Sequence, residues 1–132
     1  MSRENVEVVK ALYAAWQRDG LGVVPELMDT EIEWVNPSYA VEPGTRRGHE
    51  EFAAAARAVL DIYGDYLVSG IDVYDTGNRV VVTARVATRS KGNDVPIEAD
   101  RGYVFDLSGG KVTRFAWFND PAEALEAVGL AG

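Results

Sequence analysis

The sequence predicts an α+β domain with helices gathered on one face of an antiparallel sheet. Three observations carry that prediction. Apolar residues recur at helical spacing as far as Tyr63, then alternate with period two from Tyr66 onward. No segment of helical length separates the later strands, so a parallel winding with crossover helices is excluded. The stretch Ala99–Asn119 reads as two strands around a tight turn and carries apolar side chains on both faces, so each face needs a cover.

Taken in order, Ser2–Arg18 forms an amphipathic helix, with Ser2 as cap and Glu4 or Asn5 in the first turn. Val6, Val9, Tyr13 and Trp16 lie on one side, widened by Val8, Leu12 and Ala15, and Asp19-Gly20 ends it. A short second helix is expected over Val23–Asp29, with Pro25 in its first turn. Glu31–Asn36 alternates as a strand that Pro37 stops, and Asn36–Arg47 reads as a rim loop. A third helix spans His49–Tyr63, its alanines suited to close approach to another element. Tyr66–Tyr74 and Arg79–Arg89 form a hairpin around Asp75-Thr76-Gly77-Asn78. Ser90–Asp94 turns into a long strand, Val95–Leu107, and a three-residue loop, Ser108-Gly109-Gly110, returns the chain to Phe118. In that last hairpin Tyr103, Phe105, Leu107, Phe115 and Trp117 face one way, and Val104, Val112, Ala116 and Phe118 the other. Asp120-Pro121-Ala122-Glu123 then starts a short helix that stops at Gly129, with Asp120 as cap and Glu123 completing a capping box.

The totals narrow the function. One domain over residues 1–132 can bury a core and still hold a cavity. A net charge of −8 disfavours nucleic acid and anionic membranes as partners. With no cysteine, thiol chemistry and disulfides are excluded, and the single histidine, His49, argues against a metal centre. His49 sits at a helix start and reads as a capping or solvent-facing residue. No phosphate-cradling glycine loop is present, so no cofactor is expected. MSRENVEVVK lacks a signal-peptide apolar core and no run is long enough to span a bilayer, so the expected location is the cytoplasm.

Several segments, in this order, resemble the SnoaL-like family of the nuclear transport factor 2-like superfamily. They are SRENVEVVKALYAAWQRDG, MDTEIEWVNP, RRGHEEF, GNRVVV and GGKVTRF with DPAEALEAVGL. The resemblance covers nearly the whole chain. It implies an α+β cone: a curved antiparallel or mixed sheet wrapped around about three N-terminal helices, with a short C-terminal helix. It also implies a pocket inside the cone and a homodimer through the outer sheet face. That dimer would cover Val104, Ala116 and Phe118.

The family's catalytic patterns are not matched here. Where ketosteroid isomerases place a carboxylate base, this chain resembles them in position but carries Asn36, whose amide cannot take that proton. Their second acid aligns with Tyr103, still able to donate a hydrogen bond, and their helix tyrosine with Leu12, one residue from Tyr13. The last-strand acid of limonene epoxide hydrolases aligns with Trp117, while Glu98 and Asp100 alternate outward. Tyr103, Asn36 and Arg101 are the candidate catalytic groups, of isomerase, cyclase or hydrolase type. The expected ligand-binding set is Tyr13, Trp16, Trp34, Tyr103, Phe105, Phe115, Trp117 and Asn119, converging on a pocket for a small hydrophobic molecule. The alternative is a non-catalytic binding or dimerisation module whose pocket is filled by these same side chains.

Overall fold

The N-terminal amphipathic pattern becomes helix α1, Ser2–Asp19, which buries Val9, Leu12, Tyr13 and Ala15. It ends where Gly20, at a φ of +92°, donates its N–H to the Trp16 carbonyl at 2.8 Å. These features come from a computed structural model of the protein, which describes residues 2–40, 42–92 and 94–130. The predicted cap, the Ser2 side chain, lies outside the described residues, as does part of the turn at Ser90–Asp94.

The remaining elements are β1 (Met28–Asn36), β2 (Gly44–Arg47), α2 (Gly48–Ile62), β3 (Tyr63–Asp75), β4 (Arg79–Ser90), β5 (Pro96–Ser108), β6 (Lys111–Phe118) and α3 (Pro121–Ala127). The strands form one six-stranded sheet in the order β2-β1-β6-β5-β4-β3, antiparallel except where β1 runs parallel to β6. The fold is α+β with a mixed sheet, but only two helices precede the meander. The expected helix at Val23–Asp29 is a single turn, closed by Leu27 and Met28 N–H groups on the Val24 carbonyl, each at 3.0 Å. Pro25 steers Val24 out of helical conformation, and Met28 is drawn into the sheet opposite Val112. Part of the predicted rim loop also forms a strand, β2, on the sheet edge beside β1.

α1 and α2 cover the inner sheet face. The core there holds Phe52 from α2, Ile32 and Trp34 from β1, Val80 and Val82 from β4, and Tyr103, Phe105 and Leu107 from β5. Val112 belongs to this core as well, contrary to strict alternation. Phe105 pairs with Phe115 and Asp106 with Arg114, but Leu107 pairs with Val112, so Thr113 is an extra residue that reverses the side Val112 faces. The loop ahead of it is two residues, Gly109-Gly110, both at positive φ as a tight hairpin with right-handed twist requires.

The outer face carries a second, smaller core of Val81, Val104, Ala116 and Ala124, flanked by Val35, Phe118 and Leu125. Its cover is α3. Asp120 caps that helix by accepting the Ala122 N–H at 2.9 Å, with Pro121 opening its first turn. The helix can lie this close because Gly102 has no side chain: a Cβ there would stand 2.6 Å from the Ala124 Cβ. Beside this core the outer face is charged. Arg47, Glu33, Arg114, Asp106 and Arg79 are successive cross-strand neighbours from β2 to β4, so the signs alternate. Glu33 bonds Arg47 and lies 3.8 Å from Arg114, and Asp106 lies 3.4 Å from Arg79.

Candidate functional site

Alternation along β5 sends Ile97, Ala99, Arg101 and Tyr103 to the inner face, and β6 adds Phe115 and Trp117 beside them. Trp34 and Asn36 come from β1, and Tyr13 and Trp16 from α1. Between these rings and α2 lies a cavity of about 920 Å³. α2 borders it with Ala54, Ala55 and Ala58. The alanines predicted to permit close packing therefore leave room instead: only Ala56, on the opposite side of the helix, is fully buried. A larger residue at any of the three would project into the space.

The aromatic floor is held by ring contacts. Tyr103 stacks on Phe115 with centroids 5.7 Å apart, and Trp34 meets Phe115 edge-on at 4.9 Å. Tyr13 meets Trp16 at 5.3 Å and Tyr103 at 6.2 Å, both tilted toward edge-to-face geometry. Of the predicted ligand-binding residues, Tyr13, Trp16, Trp34, Tyr103, Phe115, Trp117 and Asn119 all line the cavity. Phe105 does not. It is fully buried against Tyr13, Trp16 and Phe115 and supports the floor from beneath.

Asn36 has a definite task. Its amide oxygen accepts the indole N–H of Trp34 at 2.7 Å and that of Trp117 at 2.5 Å, while its amide nitrogen donates to the Glu42 carbonyl at 2.8 Å. An indole N–H only donates, so the amide orientation is fixed by chemistry. One side chain thus sets two tryptophans and ties the loop after β1 to them. The third indole, Trp16, donates to the Gly22 carbonyl at 2.8 Å.

Arg101 is half-buried and lines the cavity, donating from Nη1 to the carbonyls of Asp100 at 3.0 Å and Asn119 at 3.4 Å. The other charged lining groups are engaged: Arg46 pairs with Glu42 at 3.0 Å, and Glu51 accepts the Arg47 N–H at 2.7 Å. Glu98 and Asp100 do point outward, where Arg85 lies 3.6 and 3.4 Å from them. His49 does not line the cavity and is partly exposed. Its Nε2 lies 3.0 Å from the Asp29 carbonyl and 3.3 Å from that of Met28, which acts as a pin between α2 and β1.

Sequence reasoning missed several members of the site. Thr88 and Val86 on β4 and Ile97 and Ala99 on β5 extend the lining beyond the aromatic cluster. Counting in twos backward from Tyr103 would have found the β5 pair. Tyr39, in the loop after β1, was also missed. Its hydroxyl donates to Glu123 at 3.1 Å and accepts the Asn119 N–H at 2.8 Å, with its ring edge-on to Trp117 at 6.4 Å. Partial burial raises the phenol above its ordinary value; the Asn119 N–H opposes this and Glu123 adds to it. That residue joins the loop to α3 at the site's edge, and no local spacing announces it.

A family model described as a SnoaL-like domain matches residues 9–115. Among solved structures, an NTF2-like protein from Burkholderia xenovorans is 26% identical, covering 97% of this chain and 98% of that one, with a TM-score of 0.74. An NTF2-like protein of unknown function from Burkholderia pseudomallei is 22% identical over 96% and 98% of the two chains, at 0.77. TerC, co-crystallised with polyporic acid, is 22% identical over 95% and 98%, at 0.75. None of the curated proteins compared matches the chain.

Proposed function

The chain belongs to the SnoaL-like domain family, and we propose that it holds a small, largely apolar molecule in the cavity between α2 and the inner sheet face. The observation that carries this reading is the cavity itself. At about 920 Å³ it lies at the upper end of the roughly 300–1,000 Å³ typical of small-molecule sites. Its lining supports the same reading: aromatic rings on the sheet and α1, mainly alanine and branched aliphatic side chains on α2, and a few polar groups. A packed cone would have placed core side chains in this space. The co-crystallisation of TerC with polyporic acid adds support from a protein of the same fold.

Within this reading Tyr103 is the group that meets a ligand carbonyl, since a phenol donates to oxygen and strengthens that bond as charge develops there. Asn36 is a positioning residue. Its oxygen is occupied by two indoles, and an amide has no basic site to remove a proton from carbon.

The test is a thermal-shift screen of neutral planar ketones such as fluorenone, on the wild type and on Ala58→Phe. Saturation at about a hundred times the dissociation constant should stabilise the wild type by roughly 2.7 kcal/mol. Ala58→Phe should fold with an unchanged or higher midpoint and show a smaller shift, because the new ring takes up part of the space that Ala58 borders. Absence of any wild-type shift across the screen, or an undiminished shift in Ala58→Phe, would contradict the reading.

A further inference from the structure

We infer that the cavity selects a planar aromatic carboxylate, anchored by Arg101. This deepens the preceding proposal and rests on it. A guanidinium has five N–H donors, and carboxylates dock best on two parallel ones. Arg101 spends its Nη1 on the carbonyls of Asp100 and Asn119. Among the described residues nothing takes the edge formed by Nε and Nη2, and no carboxylate pairs with this arginine. That edge is a two-pronged fork suited to two carboxylate oxygens.

The surrounding charges sharpen the assignment. Of the other charged residues lining the cavity, Glu42 pairs with Arg46, while Glu51 is held by the Arg47 backbone N–H, keeps its charge and forms no ion pair with Arg101. Arg101 therefore contributes a positive charge without an internal counter-ion, in a chain whose net charge is −8. A half-buried cation held by two carbonyl dipoles, with its best donor edge open, favours an anionic group on the ligand. The neighbouring walls set the rest of the molecule. α2 offers an aliphatic wall of Ala54, Ala55, Ala58, Val59 and Leu60, and β5 and β6 offer ring faces, including Tyr103 two residues along the same inner row as Arg101. A flat ring system fits between such walls, with its acid group toward Arg101 and Asn119.

The experiment is a calorimetric titration at low salt with two probes of the same shape, anthracene-2-carboxylate and its primary amide. They share the ring but differ in charge and in the two-pronged acceptor. The wild type should bind the carboxylate roughly tenfold or more tightly than the amide, the scale expected when charge-assisted hydrogen bonds are lost. Arg101→Met should remove that preference while leaving amide affinity within about twofold, whereas Arg101→Lys should keep part of it by charge alone. Thermal unfolding of both variants checks that they fold, and Arg101→Gln serves if the methionine variant does not. Equal affinity of the wild type for the two probes would overturn the assignment of Arg101 while leaving the cavity reading intact. Binding of neither probe, with fluorenone also failing, would overturn both.

Discussion

A single amide fixes two indoles in this protein, and the consequence is measurable. Replacing Asn36 with leucine leaves the Trp34 and Trp117 N–H groups without their acceptor. Each half-buried or buried donor left unpaired costs about 1–3 kcal/mol, so with two of them Asn36→Leu should lower unfolding free energy by roughly 2–6 kcal/mol. Asn36→Asp keeps an acceptor for both indoles but sets a carboxylate oxygen against the Glu42 carbonyl in place of a donor, so it too should lose stability. Urea denaturation reads both, as midpoint shifts at unchanged slope. A loss below about 1 kcal/mol for leucine would show that the indole bonds are not what Asn36 supplies. From sequence, Asn36 stood out for the carboxylate it replaces. What it does instead was not legible, because beyond Trp34 its partners lie 81 residues away on β6 and across the loop at Glu42.

At the scale of elements, local rules succeeded where a segment's own side chains decide its structure. α1, α2, the Asp75–Asn78 hairpin and the Asp120-Pro121 helix start form as their periodicity, turn residues and, for the last, the Asp120 cap direct, but Glu123, expected to complete a capping box, instead accepts the Tyr39 hydroxyl at 3.1 Å. They failed where a distant strand decides. Val23–Asp29 has helical spacing, yet pairing of Met28 with Val112 pulls its end into the sheet. Val112 faces inward because one inserted residue, Thr113, shifts the register, and alternation alone cannot foresee an insertion. The close approach of α3 to β5 belongs to the same class, since Gly102 matters only once Ala124 and Pro121 lie upon it. Gly102→Ala would drive a methyl into both, with a Cβ 3.0 Å from the Pro121 Cα. We expect a loss of about 1–3 kcal/mol, the usual cost of overpacking, and earlier hydrogen exchange in α3 than in α1. A neutral Gly102→Ala with unaltered exchange would mean that α3 shifts without penalty.

For the whole molecule, the two apolar faces of the last hairpin receive different covers. The inner face lies under α1 and α2 with a cavity left between, and the outer apolar patch lies largely under α3. A second copy paired through the outer face would therefore meet the alternating charges around Glu33, Arg114 and Asp106 more than the apolar row. We propose that such a dimer is salt-sensitive: sedimentation should show about twice the 14.4 kDa chain mass at low ionic strength and less of it in 0.5 M salt (roughly a 4–5 Å screening length). A single chain mass at low salt would remove the dimer. In the interior an aromatic cavity stays open rather than packed shut. Its most direct test is calorimetric titration of the wild type with fluorenone at two temperatures. One site per chain is expected, with a negative heat-capacity change from buried apolar surface and weaker binding in Ala58→Phe. Heats indistinguishable from dilution in the wild type, or an identical isotherm in Ala58→Phe, would contradict it.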